Sequence, residues 1–359
     1  MNKKIIFSSG GTGGHIFPAI NLMKHFSYKG HKVLLVTDDR GNNFLKDYPE
    51  LKSCIIKSSS PINKNFFQKI LSLITIFNSL IKSMIILKKE KPHLIFGLGG
   101  YVSFPISFAS KFFGVPLVIY ENNAVLGRAN KYLLSVAKKI LLAKEIEKNL
   151  PKKFERKAYQ VGTILSKDII NFSISKKKHI NNNLSILVLG GSQGAEIFGK
   201  IITPAIKMLK EKGYEIEINQ QCIKKQKETL VSFYKENKIK NNVFEFKKNI
   251  LDFILSSDFA ISRCGASSMA ELAQTFTPFI GVPIPNSIDN HQFLNAKYYE
   301  KKGYCWLLEQ NNFNSENLFK LILDIIIDKK KLKEVQETMK KINSNNVYNN
   351  IENQIREFI

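Results

Sequence analysis

The sequence predicts an α/β protein of two domains, each a parallel sheet covered by helices. Two glycine-rich turns each follow a short apolar run and open a helix, helix-length stretches separate further apolar runs, and the pattern restarts near residue 160. A single core stops growing efficiently at about 250 residues, so the 359 residues of this chain suit two domains.

Ile5-Ile6-Phe7 reads as a buried strand running into Ser8-Ser9-Gly10-Gly11-Thr12-Gly13-Gly14-His15, after which Pro18-Ala19-Ile20 opens a helix. Strands follow at Val33 to Val36, Leu94-Ile95-Phe96 and Leu117-Val118-Ile119-Tyr120. A linker is expected between Pro151 and Asp168, and Asn181-Asn182-Asn183 reads as a loop. The second half repeats the opening, since Ile186-Leu187-Val188-Leu189 leads into Gly190-Gly191-Ser192-Gln193-Gly194-Ala195. It continues with strands at Glu215 to Ile218, Phe259-Ala260-Ile261 and Phe279-Ile280-Gly281-Val282. Strand, helix, strand succession of this kind builds parallel sheets.

The most hydrophobic stretch, Ile70 to Leu87, is interrupted at helical spacing by Ser72, Thr75, Asn78, Ser79 and Lys82, which argues against a membrane span. Two readings stand. It is a crossover helix packed on the sheet, or, flanked by Lys64, Lys69, Lys82, Lys88 and Lys89, an amphipathic helix lying on an anionic bilayer.

The apolar content is that of a globular chain, which excludes a disordered one. Lys and Arg number 54 against 30 Asp and Glu, a net charge of +24 that favours anionic partners. A general richness in Lys, Asn and Ile lowers the weight of that surplus. The charge is spread rather than gathered into a basic arm, and no nucleic-acid-reading motif occurs, so nucleic acid is not an expected partner. Cys54, Cys222, Cys264 and Cys305 show neither a CxxC pair nor zinc-ligand spacing, which fits a reducing cytoplasm. The apolar run after Met1-Asn2-Lys3-Lys4 is too short for a signal-peptide core, so export is not expected.

Glycine-rich turns at strand ends are candidate phosphate cradles, because backbone without side chains lets N–H groups approach an anion at a helix amino end. Neither turn reads GxGxxG and neither ends in GK[ST], which weighs against a dinucleotide oxidoreductase and a P-loop enzyme.

Five stretches stand in order along nearly the whole chain: Gly10 to Pro18, Gly97 to Ser103, Glu121-Asn122-Asn123, Gly190 to Ala195, and Asp289-Asn290-His291-Gln292 with Asn295. In these the chain resembles the MurG family. Members of that family transfer N-acetylglucosamine from UDP-N-acetylglucosamine to lipid I, making lipid II for peptidoglycan. The resemblance implies a GT-B architecture, two Rossmann-like domains facing each other across a cleft. Residues 1–162, completed by a returning helix at 343–359, are then the acceptor and membrane-facing domain, and residues 163–342 the donor domain. It also implies a peripheral enzyme at the cytoplasmic face of the bacterial inner membrane, with UDP-N-acetylglucosamine, lipid I and an anionic membrane surface as partners and no cofactor. Nothing in the sequence sets an oligomeric state.

On the same resemblance, Gly191, Ser192, Gln193 and Gly194 hold the diphosphate, and Ala266, Ser267, Ser268, Met269, Ala270 and Glu271 form the opposite wall. Glu271 then accepts from the ribose hydroxyls, a sensible match of two acceptor oxygens to a diol. His291 and Gln292 meet the sugar hydroxyls, Asn123 positions the acceptor, and Thr12, Gly13 and Gly14 approach phosphate. The reaction resembles a single inverting displacement. No DxD sequence occurs, so backbone N–H groups and helix ends are expected to neutralise the departing diphosphate without a metal. His15 is the candidate base, with an unperturbed pKa of about 6.5, or else an acceptor-binding residue.

Two departures stand out. Gly162-Thr163-Ile164-Leu165-Ser166 replaces the family's Gly-Asn-Pro-Val-Arg, leaving Arg263 or a nearby lysine to supply the missing charge. Lys247-Lys248-Asn249 replaces a usually apolar and acidic stretch near the base-binding region. Competing readings are another GT-B glycolipid transferase using UDP-galactose, a UDP-N-acetylglucosamine epimerase, and a non-catalytic membrane scaffold.

Overall fold

A computed structural model describes residues 2–59, 65–146, 150–172, 184–191, 195–245, 247, 249–341 and 346–359. The expected loop at Asn181-Asn182-Asn183 lies outside them. The chain divides into two units, Met1–Ser166 with Asn345–Ile359, and Lys167–Ser344. The break falls after Ser166 rather than after 162 because the intervening residues are tied into the first unit. Tyr120 Oη donates to Gly162 O and accepts from Ile164 N, and Tyr348 Oη donates to Leu165 O.

Among the described residues the first unit holds a seven-stranded, wholly parallel sheet. Its strands are β1 (Lys4–Ser8), β2 (Lys32–Thr37), β3 (Ser53–Ile55), β4 (Leu94–Gly97), β5 (Leu117–Glu121), β6 (Lys139–Leu142) and β7 (Ala158–Gln160), in the spatial order β3-β2-β1-β4-β5-β6-β7. Helices α1 (Gly13–Tyr28), α2 (Asp39–Leu45), α3 (Phe66–Glu90), α4 (Ser103–Ala109) and α5 (Arg128–Leu133) connect them.

The second unit carries six parallel strands in the order β10-β9-β8-β11-β12-β13. These are β8 (Leu184–Leu189), β9 (Ile216–Gln221), β10 (Lys240–Phe244), β11 (Phe259–Ser262), β12 (Phe279–Gly281) and β13 (Cys305–Leu307). Its helices are α6 (Lys167–Ile170), α7 (Glu196–Glu211), α8 (Lys227–Glu236), α9 (Leu251–Leu255), α10 (Ala266–Gln274), α11 (His291–Lys301), α12 (Ser315–Ile327) and α13 (Lys329–Lys340), and α14 (Val347–Ile355) belongs to the first unit.

Central strands such as β4, β5 and β11 are buried along their whole length, as strands covered by helices on both faces must be. Chain order reverses between β1 and β4 in one sheet and between β8 and β11 in the other. Crossovers leave these neighbours toward opposite faces, opening a crevice at their carboxyl ends. Gly10 to Gly14 in the first unit and Gly190-Gly191 in the second follow the strands at these breaks.

Two helices have unusual settings. α14 returns to the first unit, where Glu352 meets His25 Nε2 at 2.5 Å and Lys29 Nζ at 2.6 Å, and Asn350 Nδ2 donates to Val161 O. α3 is inverted: Ser72, Ser79 and Ser83 face inward, while Phe67 is 77% and Phe77 61% exposed. The crossover reading expects its apolar side on the sheet. Instead the small serines seat it, with Ser79 Oγ bonded to Lys57 O and Ser72 Oγ to Ser59 Oγ, and leave the large side chains outside. In length and mean hydropathy, 2.0 over its most apolar window, α3 meets the measure of a crossing helix. Its serine face and the core residues Ile86 and Leu87 nevertheless fasten it to the unit.

Candidate active site

At the end of β1 the chain turns so tightly against the loop after β4 that only glycine fits. Gly10 N donates to Gly99 O at 3.0 Å, and a Cβ on Gly10 would stand 3.0 Å from Gly100 Cα. A Cβ on Gly11 would collide with Asp38 Oδ1. Thr12, exposed, is the N-cap of α1 and makes no side-chain capping bond, and the first turn through Gly13 and Gly14 contains no acid. That end of α1 therefore presents positive dipole and backbone N–H groups. His15, half-buried in the same turn, lies with its ring against Gly99. A Cβ on Gly99, whose φ is +93°, would stand 2.9 Å from His15 Cε1 and 3.0 Å from Nδ1.

The end of β5 closes on this turn. Asn122 Nδ2 donates to Gly14 O at 3.2 Å, and Asn123 follows with both its N and Nδ2 on the Glu121 carboxylate. The structure thus gathers Thr12, Gly13, Gly14, His15 and Asn123 at one edge of the first sheet.

In the second unit Gly191 follows β8 with φ +80°, a left-handed conformation that favours glycine. Ser192, Gln193 and Gly194 lie outside the described residues. Beyond β11, Gly265 caps α10 without a side chain, so the wall formed by Ala266, Ser267 and Ser268 is an uncapped helix amino end. Met269 and Ala270 lie deeper in the same helix. Both side chains are buried in the unit and Met269 N bonds to Gly265 O, so they support the wall from behind. Glu271 is half-buried, no described residue donates to its carboxylate, and burial pushes it up to about 7.

After β12 the chain passes Asp289 and Asn290, both at positive φ, into α11. Such residues tolerate the left-handed region better than most. Gln292 Oε1 accepts from Cys264 N at 3.2 Å and Ile284 N at 3.0 Å, bridging the loops after β11 and β12. Both partners can only donate, so the contacting atom is the amide oxygen. Asn295 Nδ2 binds Cys264 O from below, and His291 Nδ1 meets Ile288 O at 2.8 Å.

Arg263 is engaged by partners of its own unit. It is buried, Nη1 donates to Val282 O and Pro283 O, Nη2 donates to Gln310 Oε1, and the guanidinium stacks on Phe198. Its charge braces the β12 loop. Lys247 rests over the stacked Phe244 and Phe253 rings, while Lys248 lies outside the described residues.

Family models match both units: the glycosyltransferase family 28 N-terminal domain over residues 5–142 and its C-terminal domain over residues 185–354. The chain belongs to glycosyltransferase family 28. Two relatives are named UDP-N-acetylglucosamine--N-acetylmuramyl-(pentapeptide) pyrophosphoryl-undecaprenol N-acetylglucosamine transferase. The one from Pelagibacter ubique is 36% identical over 98% of this chain and 97% of its own. The one from Rickettsia felis is 34% identical over 94% and 95%. The crystal structure of MurG from Acinetobacter baumannii superposes with a TM-score of 0.80 at 24% identity, over 99% of this chain and 100% of that one. That likeness gives the two-domain GT-B fold of family 28.

Two further buried charges, Lys144, 1% exposed, and Glu121, 2% exposed, belong to this edge of the first sheet and are not among the residues expected from sequence. The signal was present in each case, a charged residue directly after a buried apolar run.

The contact of His15 with Gly99 is testable. Gly99→Ala is expected to shift the His15 Cε1–H resonance and to lower stability by about 1–3 kcal/mol, since it puts a side chain at a strained φ. An unmoved resonance would contradict the packing described.

Proposed function

We propose that this chain is an inverting glycosyltransferase that moves N-acetylglucosamine from UDP-N-acetylglucosamine to lipid I, forming lipid II. The observation that carries the reading is identity above 30% to transferases of that name over nearly the full length of both chains. In the reaction the acceptor hydroxyl oxygen forms a bond to the anomeric carbon, the bond to the diphosphate oxygen breaks, and UDP leaves with that electron pair. The hydroxyl proton passes to a base.

In this reading the second unit binds the donor. Gly191, Ser192, Gln193, Gly194 and the amino end of α10 meet the diphosphate, Glu271 accepts from the ribose diol, and His291 and Gln292 meet the sugar. The first unit binds the acceptor, with His15 as base, Asn123 beside the reacting hydroxyl, and Thr12, Gly13 and Gly14 at phosphate. The uncapped amino ends of α1 and α10 support these roles, because fixed N–H dipoles stabilise charge as it develops on oxygen.

The same reading includes peripheral attachment to the cytoplasmic face of an anionic membrane. Supporting it, α3 turns Phe66, Phe67, Leu71, Ile74, Phe77 and Ile85 outward, rimmed by exposed Lys69, Lys82, Lys88 and Lys89. Alongside runs an aromatic row, Tyr132, Phe104, Phe108 and Phe112. Apolar side chains ringed by lysines suit the boundary between acyl chains and acidic headgroups.

Purified protein given labelled UDP-N-acetylglucosamine, UDP-galactose or UDP-glucose with a short-chain lipid I analogue is expected to transfer only from the first. His15→Ala should then lower turnover by roughly 100-fold or more, as loss of a general base does. Transfer from UDP-galactose instead would overturn the donor, and near-wild-type turnover of the variant would remove His15 as base.

Glu271 gives a pH prediction. Its carboxyl is protonated below about 7, and a diol donating two hydrogen bonds favours the ionised form. Affinity for UDP-N-acetylglucosamine, whose diphosphate diester does not titrate in this range, should therefore rise as pH climbs through about 7. Glu271→Gln should flatten that profile in calorimetric titrations; a flat wild-type profile would exclude the ribose contact.

Membrane attachment is tested by flotation with vesicles containing anionic lipid. Replacing Phe67, Leu71 and Phe77 together by Ser should weaken binding by at least about 100-fold, given some 1.5–3 kcal/mol for each buried side chain. Undiminished flotation would dismiss α3 as the contact.

A further inference from the structure

An acid flanks the glycine turn of the first unit. A Cβ on Gly11 would collide with Asp38 Oδ1 and stand 2.6 Å from Arg40 Cβ and 2.7 Å from Gly41 N, so the start of α2 lies directly against the turn. Two bonds fasten the one to the other: Ser9 N donates to Val36 O at 3.1 Å, and Thr37 Oγ1 donates to Ser9 O at 2.8 Å. Asp38 is the N-cap of α2, its Oδ1 accepting from Gly41 N at 2.8 Å. Asp39 follows it and is exposed.

A carboxylate at this place repels a phosphate that approaches the backbone N–H groups of Gly13 and Gly14. Arg40 offsets it. Its Nη2 donates to Asp38 Oδ2 at 3.3 Å, its side chain is 69% exposed, and no other described residue accepts from the guanidinium. A guanidinium carries five N–H donors in a planar fork that matches carboxylate and phosphate alike. With one edge on Asp38, the other is left for a phosphate oxygen. Because Arg40 Cβ is held against Gly11, that second edge belongs to the border of the turn and not to a distant part of the surface.

We propose that Arg40 is a specificity-determining residue of the acceptor site: it cancels the Asp38 charge beside the glycine turn and donates from its remaining N–H groups to the acceptor's diphosphate. The proposal rests on the reading above of Thr12, Gly13 and Gly14 as a phosphate contact, and deepens it. Backbone supplies dipole and shape, and Arg40 supplies net charge. An acceptor without phosphate gains from neither. Asn at position 38 keeps the cap of α2, since Asn and Asp cap helices about equally well, so the charge there can be removed while the shape stays.

The test uses the full-length chain with R40A, R40K, D38N and D38N/R40A, measuring kcat, KM for the lipid I analogue, donor affinity and Tm. R40A is expected to raise KM for the analogue by about 10- to 100-fold, the scale of one lost hydrogen bond to a charged group. Donor affinity by calorimetry should stay within about 2-fold of wild type, because the pair lies in the other unit. R40K, which keeps the charge but not the fork, should fall between wild type and R40A. D38N/R40A should bind the analogue at least about 3-fold better than R40A, since no bare carboxylate then faces the phosphate. Added salt should raise KM more steeply in wild type than in R40A, a response that a merely structural arginine would not give. An unchanged KM in R40A, a loss confined to the donor, or a double variant no better than R40A would overturn the role of Arg40. If D38N does not fold, R40K against R40A across salt concentrations carries the same test. A wild-type protein that transfers no sugar sinks the transferase reading itself; one that transfers sugar equally well with R40A sinks only the role of Arg40.

Discussion

The constraint on which the first unit's site depends is the contact of two backbones at the break in strand order. Where β1 and β4 lie side by side, Gly10 and Gly100 approach so closely that neither admits a side chain. That approach draws the amino end of α1 over the sheet edge and leaves a gap at Gly99 into which the His15 ring fits. The second unit repeats the arrangement with different means. There Gly191 stands at the break between β8 and β11 beside the Cβ of Arg263, and the bare cap Gly265 opens the amino end of α10. In each unit, positive dipole is delivered by backbone, whose position is set by the sheet.

Buried charge is handled differently at each position, and the differences follow from the partners at hand. Glu121 is surrounded by donors, and Lys144 lies close enough for their charges to interact. Arg263 is satisfied by carbonyl oxygens and Gln310, so its charge holds a loop in shape. Glu271 has no described donor, and the cost of desolvating its carboxylate is expressed as a raised pKa. A carboxylate with no donor among the described residues is well suited to receive donors from a diol.

The centre of each sheet was legible because fully buried parallel strands read as unbroken apolar runs ending in glycine. The edges were not. β3, β7, β10 and β13 are the outermost strands of their sheets; three of them have only three residues each, and β10 begins Lys-Asn-Asn. The orientation of α3 was illegible for another reason. Its period shows two faces but not which one turns inward, and the serines fit because small side chains allow close packing. At the site, glycines and the histidine could be read from local sequence, whereas Glu121 and Arg263 take their roles from residues brought together by folding. The segment at Gly162 to Ser166 could be read as lacking the family arginine, whereas the bonds of Arg263 to Val282, Pro283 and Gln310 come only from folding.

The central claim is that the break in strand order in the second unit is where the nucleotide sits. A crystal structure with UDP-N-acetylglucosamine bound tests it most directly. The account requires the diphosphate against the turn after β8 and the amino end of α10, with ribose oxygens within hydrogen-bonding distance of Glu271. Density for uridine at the first unit's glycine turn, or a ribose remote from Glu271, would contradict it.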